Sequence, residues 1–379
     1  MVTIFYARFA YLNPGVPLFL DYFQQSPQPG VQSVNVSECT PDEVSRIVAE
    51  SSTVAIDQSI ENASTWAAPG DFSIYRVRGD RPASFFSDIL DRLWSADVRR
   101  LFMSNFDLHD LRIPALVEKM RGKVDAFSWM FEKRPLTMDE IPTQYRDVWL
   151  SPGHDPIGTW NLVRAVAPVR IEIPFSVGPR EFTYTPPAGY WHACVPGAPY
   201  ATRTLAAQSI RRAGLRCAPV RTVSRVGVGL SLALGKTLPS DSASVAAIDL
   251  QQRLQRMVVR SSAMAFVCGS GVSYATRKFF EIPALQAPML AYPCVGFEDY
   301  GFEHGVNVIA TMPEDAGENA KWLHSNATAA ARIARAGQEL VRQRHSLKKR
   351  VKDFGECLRK LDNGKLHGAE FVRGRFEIH

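Results

Sequence analysis

The residue types best suited to chemistry lie in one short segment, Ser273 to Pro283, with the sequence SYATRKFFEIP. An apolar run and the turn Gly269-Ser270-Gly271 precede it, and Arg277 and Lys278 stand near its centre. A strand, a glycine turn and the start of a helix together often bind phosphate, because backbone N–H groups and neighbouring cations converge there. The spacing predicts a binding site for a phosphorylated ligand, with free N–H groups in the first turn of the helix.

Glu281 stands four residues after Arg277 and falls on the same face of the predicted helix. A carboxylate in that place can accept hydrogen bonds from two vicinal hydroxyl groups of a ribose. The residues also allow another interpretation, in which Arg277 and Glu281 form an ordinary surface ion pair and the glycines form a turn without a ligand. Residue types and spacing leave both interpretations open.

Short apolar runs alternate with helix-like segments along the whole chain, which predicts an α/β protein with parallel sheets and crossover helices. The passage IEIPFSVGPREFTYTPPAGY is rich in proline and glycine and marks a change of domain, after which the alternation restarts. We therefore predict two Rossmann-like, doubly wound domains facing a cleft, with residues 1–178 in the first and 179–345 in the second. Ligands are expected beyond the carboxyl ends of the strands.

The length of 379 residues fits roughly two domains, and 46% apolar residues fit a globular protein with a buried core. No apolar run reaches the roughly 18 residues that a membrane-spanning helix needs. The first residues, MVTIFYARFAYL, carry Arg8 and no charged region before the apolar ones, so we expect a strand and not a signal peptide. The six cysteines are scattered without the spacing of a zinc site, which favours reduced thiols in a cytoplasmic protein.

A formal net charge of +6 indicates an anionic partner. Much of the excess positive charge lies in the stretch RIARAGQELVRQRHSLKKRVKDF. A nucleotide diphosphate, an anionic membrane surface and nucleic acid all fit this charge. The alternative for that stretch is a solvated helix face without a partner.

The segment around Glu281 resembles the C-terminal domain of group-1, GT-B-type glycosyltransferases, and most closely the branch of spore-maturation-type proteins. The similar features are the K-x-x-E helix, here Lys278 to Glu281, and the turn Gly296-Phe297-Glu298 after the next strand. The resemblance extends over about residues 165–355, including the helix that follows the His-Ser pair at 345–346. It implies a GT-B architecture in which residues 346–379 form a C-terminal helix and tail that return to the N-terminal domain.

The resemblance also implies the residues of the donor site. Glu281 takes the place of the glutamate that binds the donor ribose, and Ser273 takes a place where many retaining members have a second glutamate. Gly197 and Arg203 stand where the family has a glycine turn and a cation facing the diphosphate. The full expected donor-binding set is Gly197, Tyr200, Arg203, Gly271, Ser273, Arg277, Lys278, Glu281 and Glu298.

The acceptor side needs a group that takes the proton of the attacking hydroxyl. In related enzymes a histidine follows a strand of the N-terminal domain, and the segment SNFDLHDLR is placed there. His109 is our first candidate, with Asp107 and Asp110 beside it, and His154 with Asp155 is the second. For each of these the alternative is a residue that caps a loop.

These observations predict a glycosyltransferase that moves a hexosyl or pentosyl unit from a nucleotide diphosphate sugar to a glycan, lipid-linked or other hydroxyl acceptor. The sequence has no plain D-x-D motif, so we expect neither a metal ion nor another cofactor. Two alternatives stay open: a transferase that glycosylates a modified DNA base, and a protein that binds nucleotide sugars without turnover. Nucleic acid and a peripheral membrane surface stay open as further partners.

Overall fold

The computed structural model describes residues 2–6, 31–35, 53–57, 100–104, 126–129, 134, 136–137, 139–146, 161, 165, 169–182, 190–197, 200–220, 253–254, 256–269 and 273–379. In the first five ranges it defines the backbone of β-strands. All statements below concern these residues.

The described elements follow the α/β alternation that the sequence predicts. The strands are β1 (Val2–Tyr6), β2 (Val31–Asn35), β3 (Thr53–Asp57), β4 (Arg100–Ser104), β5 (Ala126–Trp129), β6 (Val169–Glu172), β7 (Ala265–Val267), β8 (Met289–Ala291), β9 (Ile309–Ala310), β10 (Ala369–Val372) and β11 (Arg375–Ile378). The α-helices are α1 (Ala201–Arg212), α2 (Lys278–Ala284), α3 (Ala316–Ser325), α4 (Ala327–Arg344) and α5 (Leu347–Asp362). Two 3-10 helices span Thr143–Tyr145 and Pro179–Phe182.

The larger sheet has eight strands in the order β11-β10-β6-β5-β4-β3-β1-β2. Neighbouring strands run parallel except for the antiparallel pair β10 and β11. Runs such as VTIFY and TVAID consist mainly of β-branched and apolar residues, which suit strands inside a parallel sheet. The sequence predicts β1 to β5 of this sheet to within a few residues of their bounds, but not β6.

The end of the chain joins this larger sheet. β10 lies parallel to β6, with Ala369 opposite Ile171, and α5 contributes Val351 and Phe354 to the same buried cluster as Ile171. The sequence predicted only a helix and a tail here, without the strands β10 and β11. Two short strands at a sheet edge carry little pattern of their own, and their pairing with β6 joins residues about 200 positions apart. The domain bounds drawn from the sequence stay a prediction.

The smaller sheet contains β7, β8 and β9, all parallel. An extended segment before α1 lies beside β7, where Cys194 forms a parallel bridge with Ala265. The carboxyl ends of this segment, β7 and β8 therefore meet at one edge of the sheet, which we call the carboxyl edge. α1 and α3 cover one face of the sheet, and α2 packs on the other, against residues such as Ala265 and Met289.

α1 and α3 pack unusually closely at Gly317. A side-chain carbon at this position would overlap the backbone of Ser209 in α1. The Gly317 N–H donates a hydrogen bond to the Ser209 hydroxyl at 2.9 Å, and that hydroxyl donates to the carbonyl of Glu314. The fold therefore depends on a glycine here, because the helices could not approach with a larger residue.

Two segments that connect the sheets are bonded to each other. The N–H of Val177 donates to the carbonyl of His345 at 3.0 Å, and the N–H of Leu347 donates to the carbonyl of Val177 at 2.9 Å. The fully buried Arg350 donates to Nδ1 of His345 at 2.7 Å and lies 4.3 Å from the ring of Phe371. A buried arginine thus ties α5, the turn before it and β10 together.

None of the helices in the described part of the chain combines the length and the apolar character required to cross a bilayer.

Candidate active site at the carboxyl edge of the smaller sheet

The turn after β7 is tightly closed. A side-chain carbon on Gly269 would lie 2.9 Å from the backbone of Ser273, so only glycine fits there. Ser273 itself has a φ of 64°, a left-handed conformation that is uncommon for residues other than glycine. Its carbonyl accepts a hydrogen bond from the N–H of Val295 at 2.7 Å, which ties the turn to the loop after β8. Gly271, a predicted donor-binding residue, lies outside the described residues.

Glu281 is the centre of an ion cluster on α2. Nη2 of Arg277 lies 2.8 Å from Glu281 Oε1, and Nζ of Lys278 donates to Glu281 Oε2 at 2.6 Å. Glu281 is only 9% exposed, and the Arg277 side chain is 11% exposed. The i, i+4 pair forms as the spacing allows, but it is nearly buried and is not an ordinary surface pair.

Glu281 is ionised at neutral pH. Burial raises the pKa of its carboxyl group, but the charge of Arg277, followed by the charge and hydrogen bond of Lys278, outweighs burial and lowers the pKa to about 2. An ionised carboxylate has no proton to donate, so each oxygen acts as an acceptor, and each keeps room for more than one hydrogen bond. Glu281 can therefore accept hydrogen bonds from hydroxyl groups of a ligand.

Three N–H groups near the start of α2 already have partners, and free N–H groups before them stay a prediction. The N–H of Phe279 donates to the carbonyl of Thr276, and the N–H groups of Phe280 and Glu281 both donate to the carbonyl of Arg277, all at 3.0 Å. These groups are taken because the chain turns into the helix before residue 278, and α2 itself has only seven residues. The positive charge available to an anion here comes from side chains.

Glu181 is a member of the cluster that sequence reasoning missed. It lies in the 3-10 helix Pro179–Phe182 and is 3% exposed. Its Oε1 is 3.5 Å from Arg277 Nη2 and 3.8 Å from Arg256 Nη1. Burial raises the pKa of Glu181, the charge of Arg277 opposes this rise, and the neighbouring Glu281 adds to it. No local pattern reveals the contact, because Glu181 and Arg277 are 96 residues apart.

Three cations and two carboxylates make up this cluster, so it carries one net positive charge when every group is ionised. Its members are Glu181, Arg256, Arg277, Lys278 and Glu281. A net positive charge beside a buried carboxylate acceptor suits a ligand that has both hydroxyl and phosphate groups.

Gly197, Tyr200 and Arg203 form a second group at the carboxyl edge. Gly197 has a φ of 108°, and a side-chain carbon there would lie 2.6 Å from the Arg203 guanidinium. That guanidinium lies 4.4 Å from the centre of the Tyr200 ring, and Arg203 is buried although it lies on a helix. The hydroxyl of Thr202 lies 3.1 Å from the sulfur of Cys268, which joins the start of α1 to the end of β7.

Glu298, unlike Glu281, is an exposed residue. It is exposed in the turn that follows β8, where Gly296 has a φ of 76° and the Gly301 N–H donates to the Glu298 carbonyl at 2.8 Å. The structure therefore gives Glu298 a place in a surface turn, and its role in donor binding stays a prediction.

A third group at the carboxyl edge was not predicted. The hydroxyl of Tyr145 donates to Glu314 Oε2 at 2.5 Å, and the Tyr145 ring meets the ring of Tyr292 edge-on at 5.1 Å. Burial, helped by Glu314, raises the pKa of both phenols, so both stay protonated. Tyr145 precedes β6 in the chain, yet it packs on the smaller sheet. The sequence could not show this contact because it joins residues 169 positions apart.

The predicted acceptor-side residues lie outside the described residues, so their roles stay predictions. They are Asp107, His109, Asp110, His154 and Asp155. Within the described part of the chain, no group of three or more His, Cys, Asp or Glu side chains is placed to hold a metal ion.

Comparisons with known proteins concern one segment of the chain and the fold. A family model described as Glycosyl transferase-like matches residues 255–356, a range that includes α2 and Glu281. No curated protein sequence gives a significant match. The fold is similar to that of Anabaena Alr3699/HepE in complex with UDP-glucose, with a TM-score of 0.52 and 9% identity over 95% of this chain and 99% of that chain.

A second structure of Anabaena Alr3699/HepE, in complex with UDP and glucose, gives a TM-score of 0.50 with 9% identity over the same shares of the two chains. At this identity the likeness concerns the fold alone. It confirms the mixed α/β fold, while the division into two domains and the spore-maturation branch stay predictions. The chain thus has an α/β fold like that of Anabaena HepE and a Glycosyl transferase-like segment over residues 255–356.

Proposed function

We propose that this protein transfers a glycosyl unit from a nucleotide diphosphate sugar to a hydroxyl acceptor. The observation that carries the proposal is the buried, ionised carboxylate of Glu281, held by Arg277 and Lys278 at the carboxyl edge of the smaller sheet. Two comparisons support it. The segment that matches the Glycosyl transferase-like model contains Glu281, and Anabaena HepE, which has a similar fold, binds UDP-glucose.

In this proposal Glu281 accepts hydrogen bonds from the ribose hydroxyls of the donor. Arg256 and Lys278, whose side chains are 29% and 24% exposed, are the cations of the cluster that can meet the diphosphate. The acceptor oxygen attacks the anomeric carbon while the bond from that carbon to the diphosphate oxygen breaks. Cations near the leaving diphosphate stabilise its developing charge, so the proposed reaction needs no metal ion.

The acceptor proton passes to a base in the proposed mechanism. His109 is the first candidate for this base, with Asp107 and Asp110 beside it, and His154 is the second. We further propose that the transferred unit is a hexose or pentose, that the acceptor belongs to a glycan or a lipid-linked saccharide, and that the reaction takes place in the cytoplasm. The basic sequence 332–354 supports an anionic surface as a further contact.

A ligand screen tests the donor. UDP, GDP, ADP, CMP and dTDP derivatives of common sugars are added to the protein, and its thermal unfolding is measured. A ligand at 100 times its dissociation constant stabilises the folded protein by about 2.7 kcal/mol. We expect one nucleotide class to stabilise the wild type and to lose this effect in Glu281→Gln but not in Glu339→Gln, which alters an exposed ion pair on α4. Stabilisation by none of the nucleotides contradicts the proposal.

One observation favours a second function, the binding of nucleotide sugars without turnover. Ser273 occupies the position where the resemblance implies a second glutamate, and its backbone is fixed by the turn after β7. The two functions differ in one measurement: both bind the donor, but only the transferase releases the free nucleotide when acceptors are supplied.

A further inference from the structure

The buried carboxylate of Glu181 reaches the candidate site from the segment that connects the two sheets. Four residues before it, Val177 is bonded to His345 and Leu347, so the start of this segment is held in place. Phe182, the residue after it, lies under the guanidinium of Arg342 at 5.6 Å. Glu181 therefore follows a backbone segment that is held in place by hydrogen bonds at Val177.

Arg277 lies between two carboxylates. Its Nη2 is 2.8 Å from Glu281 Oε1 and 3.5 Å from Glu181 Oε1. A guanidinium is planar and its N–H groups point in fixed directions, so two acceptors on the same nitrogen restrict how the group can rotate. Lys278, by contrast, reaches Glu281 with a flexible chain that is more exposed than that of Arg277.

The burial of Glu181 needs an explanation, because a carboxylate is costly to remove from water. Its partners are Arg277 and Arg256, at 3.5 and 3.8 Å, and Glu281 lies close enough to oppose its ionisation. Neither arginine distance is as short as the 2.8 Å between Arg277 and Glu281. Glu181 thus contacts the same guanidinium nitrogen of Arg277 that pairs with Glu281, and it acts on the site through that nitrogen.

From this geometry we infer that Glu181 is a positioning residue, which holds the Arg277 guanidinium so that it fixes the Glu281 carboxylate for the donor ribose. The inference rests on the proposed function and deepens it. In this inference Arg277 holds the carboxylate that binds the ribose, whereas the sequence predicted that Arg277 itself would bind the diphosphate. Lys278 and Arg256 are then the cations of the cluster available to the phosphates.

The test compares two probes, UDP and 2′,3′-dideoxy-UDP, which lacks the ribose hydroxyls. Binding of both to the wild type and to Glu181→Gln is measured by calorimetry. We expect Glu181→Gln to weaken UDP binding about tenfold, in the range of one hydrogen bond to a charged group, and to leave the dideoxy probe unchanged. The ratio of the affinities for UDP and 2′,3′-dideoxy-UDP should therefore fall. A general loss of stability would weaken the binding of both probes and leave this ratio unchanged.

A double variant tests whether Glu181 acts through Glu281. If Glu181 acts through Arg277 on Glu281, the double variant Glu181→Gln/Glu281→Gln binds UDP no more weakly than Glu281→Gln alone. Glu181→Asp, which keeps the charge, is expected to retain part of the ribose preference. Glu339→Gln serves as the matched control because its carboxylate also pairs with an arginine but is about half exposed.

Several outcomes contradict the inference. Equal weakening of both probes in Glu181→Gln identifies Arg277 as a phosphate ligand. Unchanged binding of both probes shows that Glu181 does not position the site, and additive losses in the double variant show that it does not act through Glu281. If the wild type binds neither UDP nor any other nucleotide, the proposed function fails instead, which separates the two failures.

Discussion

Replacement of Glu281 by glutamine should reduce the stability of the fold at neutral pH and should remove part of its dependence on pH. The carboxyl group is nearly buried, and Arg277 and Lys278 lower its pKa from the ordinary 4.5 to about 2. The unfolded chain holds this proton more tightly than the folded protein does. Ionised Glu281 therefore stabilises the fold above about pH 4.5, and the contribution is lost as the pH falls towards 2.

The magnitude follows from the two pKa values. Each pH unit is worth about 1.4 kcal/mol, so a fall from 4.5 to about 2 corresponds to about 3 kcal/mol at pH 7. About 1 kcal/mol of this is lost by pH 4, and more than half is lost by pH 3. Glu181 acts in the opposite direction, because its raised pKa favours the protonated form in the folded protein. The comparison of wild type with Glu281→Gln therefore measures Glu281 together with its effect on the pKa of Glu181.

Urea unfolding of wild type, Glu281→Gln and Glu339→Gln at several values between pH 7 and pH 3 provides the assay. We expect Glu281→Gln to be less stable than wild type by about 3 kcal/mol at pH 7, with the gap closing as the pH falls. Glu339→Gln should change stability by less than about 1 kcal/mol, because its ion pair is exposed. A gap that stays constant with pH would refute the reasoning, since Glu281 would then not be ionised by its neighbours.

Three further predictions concern the fold. Gly317→Ala should lower the free energy of unfolding in urea by at least about 2 kcal/mol, because the alanine side chain would overlap the backbone of Ser209. Gly368→Ala should be nearly neutral, because the nearest atom to its side-chain carbon would be the carbonyl oxygen of Arg170 at 3.5 Å. Arg350→Met should cost about 3 kcal/mol in the same assay, since it removes a buried donor to two partners. Truncation before Ser346 removes α5, β10 and β11, so limited proteolysis should then cleave residues of the larger sheet that the full chain protects. Unchanged protection would contradict the pairing of β10 with β6.

The sequence predicts much of the fold because its strands have strong local patterns. Runs such as VTIFY, TVAID and RLFMS are short, apolar and bounded by helix-like segments, and each appears as a parallel strand. β9, β10 and β11 were missed, because two to four residues near a sheet edge leave almost no pattern. β6 was missed because it runs into the passage rich in proline and glycine that indicated a change of domain. Their positions depend on pairing with distant strands.

The candidate site was predicted in part for the same reason. Glu281 stands four positions after Arg277 and three after Lys278, so the spacing alone brings the three side chains together on a helix. Glu181 and Tyr145 reach the carboxyl edge of the smaller sheet from far along the chain, and only the folded structure brings them there. Local spacing also did not show that the N–H groups of Phe279, Phe280 and Glu281 are occupied, because that depends on how the chain enters the helix.

The most direct test of the account is turnover of a nucleotide sugar by wild type, Glu281→Gln and Glu339→Gln. The donor class that stabilises the wild type is supplied with a mixture of saccharide acceptors, and free nucleotide and glycosylated product are measured by chromatography. The account predicts product from the wild type and from Glu339→Gln, and at least a tenfold loss of kcat/KM in Glu281→Gln. Equal turnover by Glu281→Gln and wild type would contradict the central claim that this buried carboxylate holds the donor.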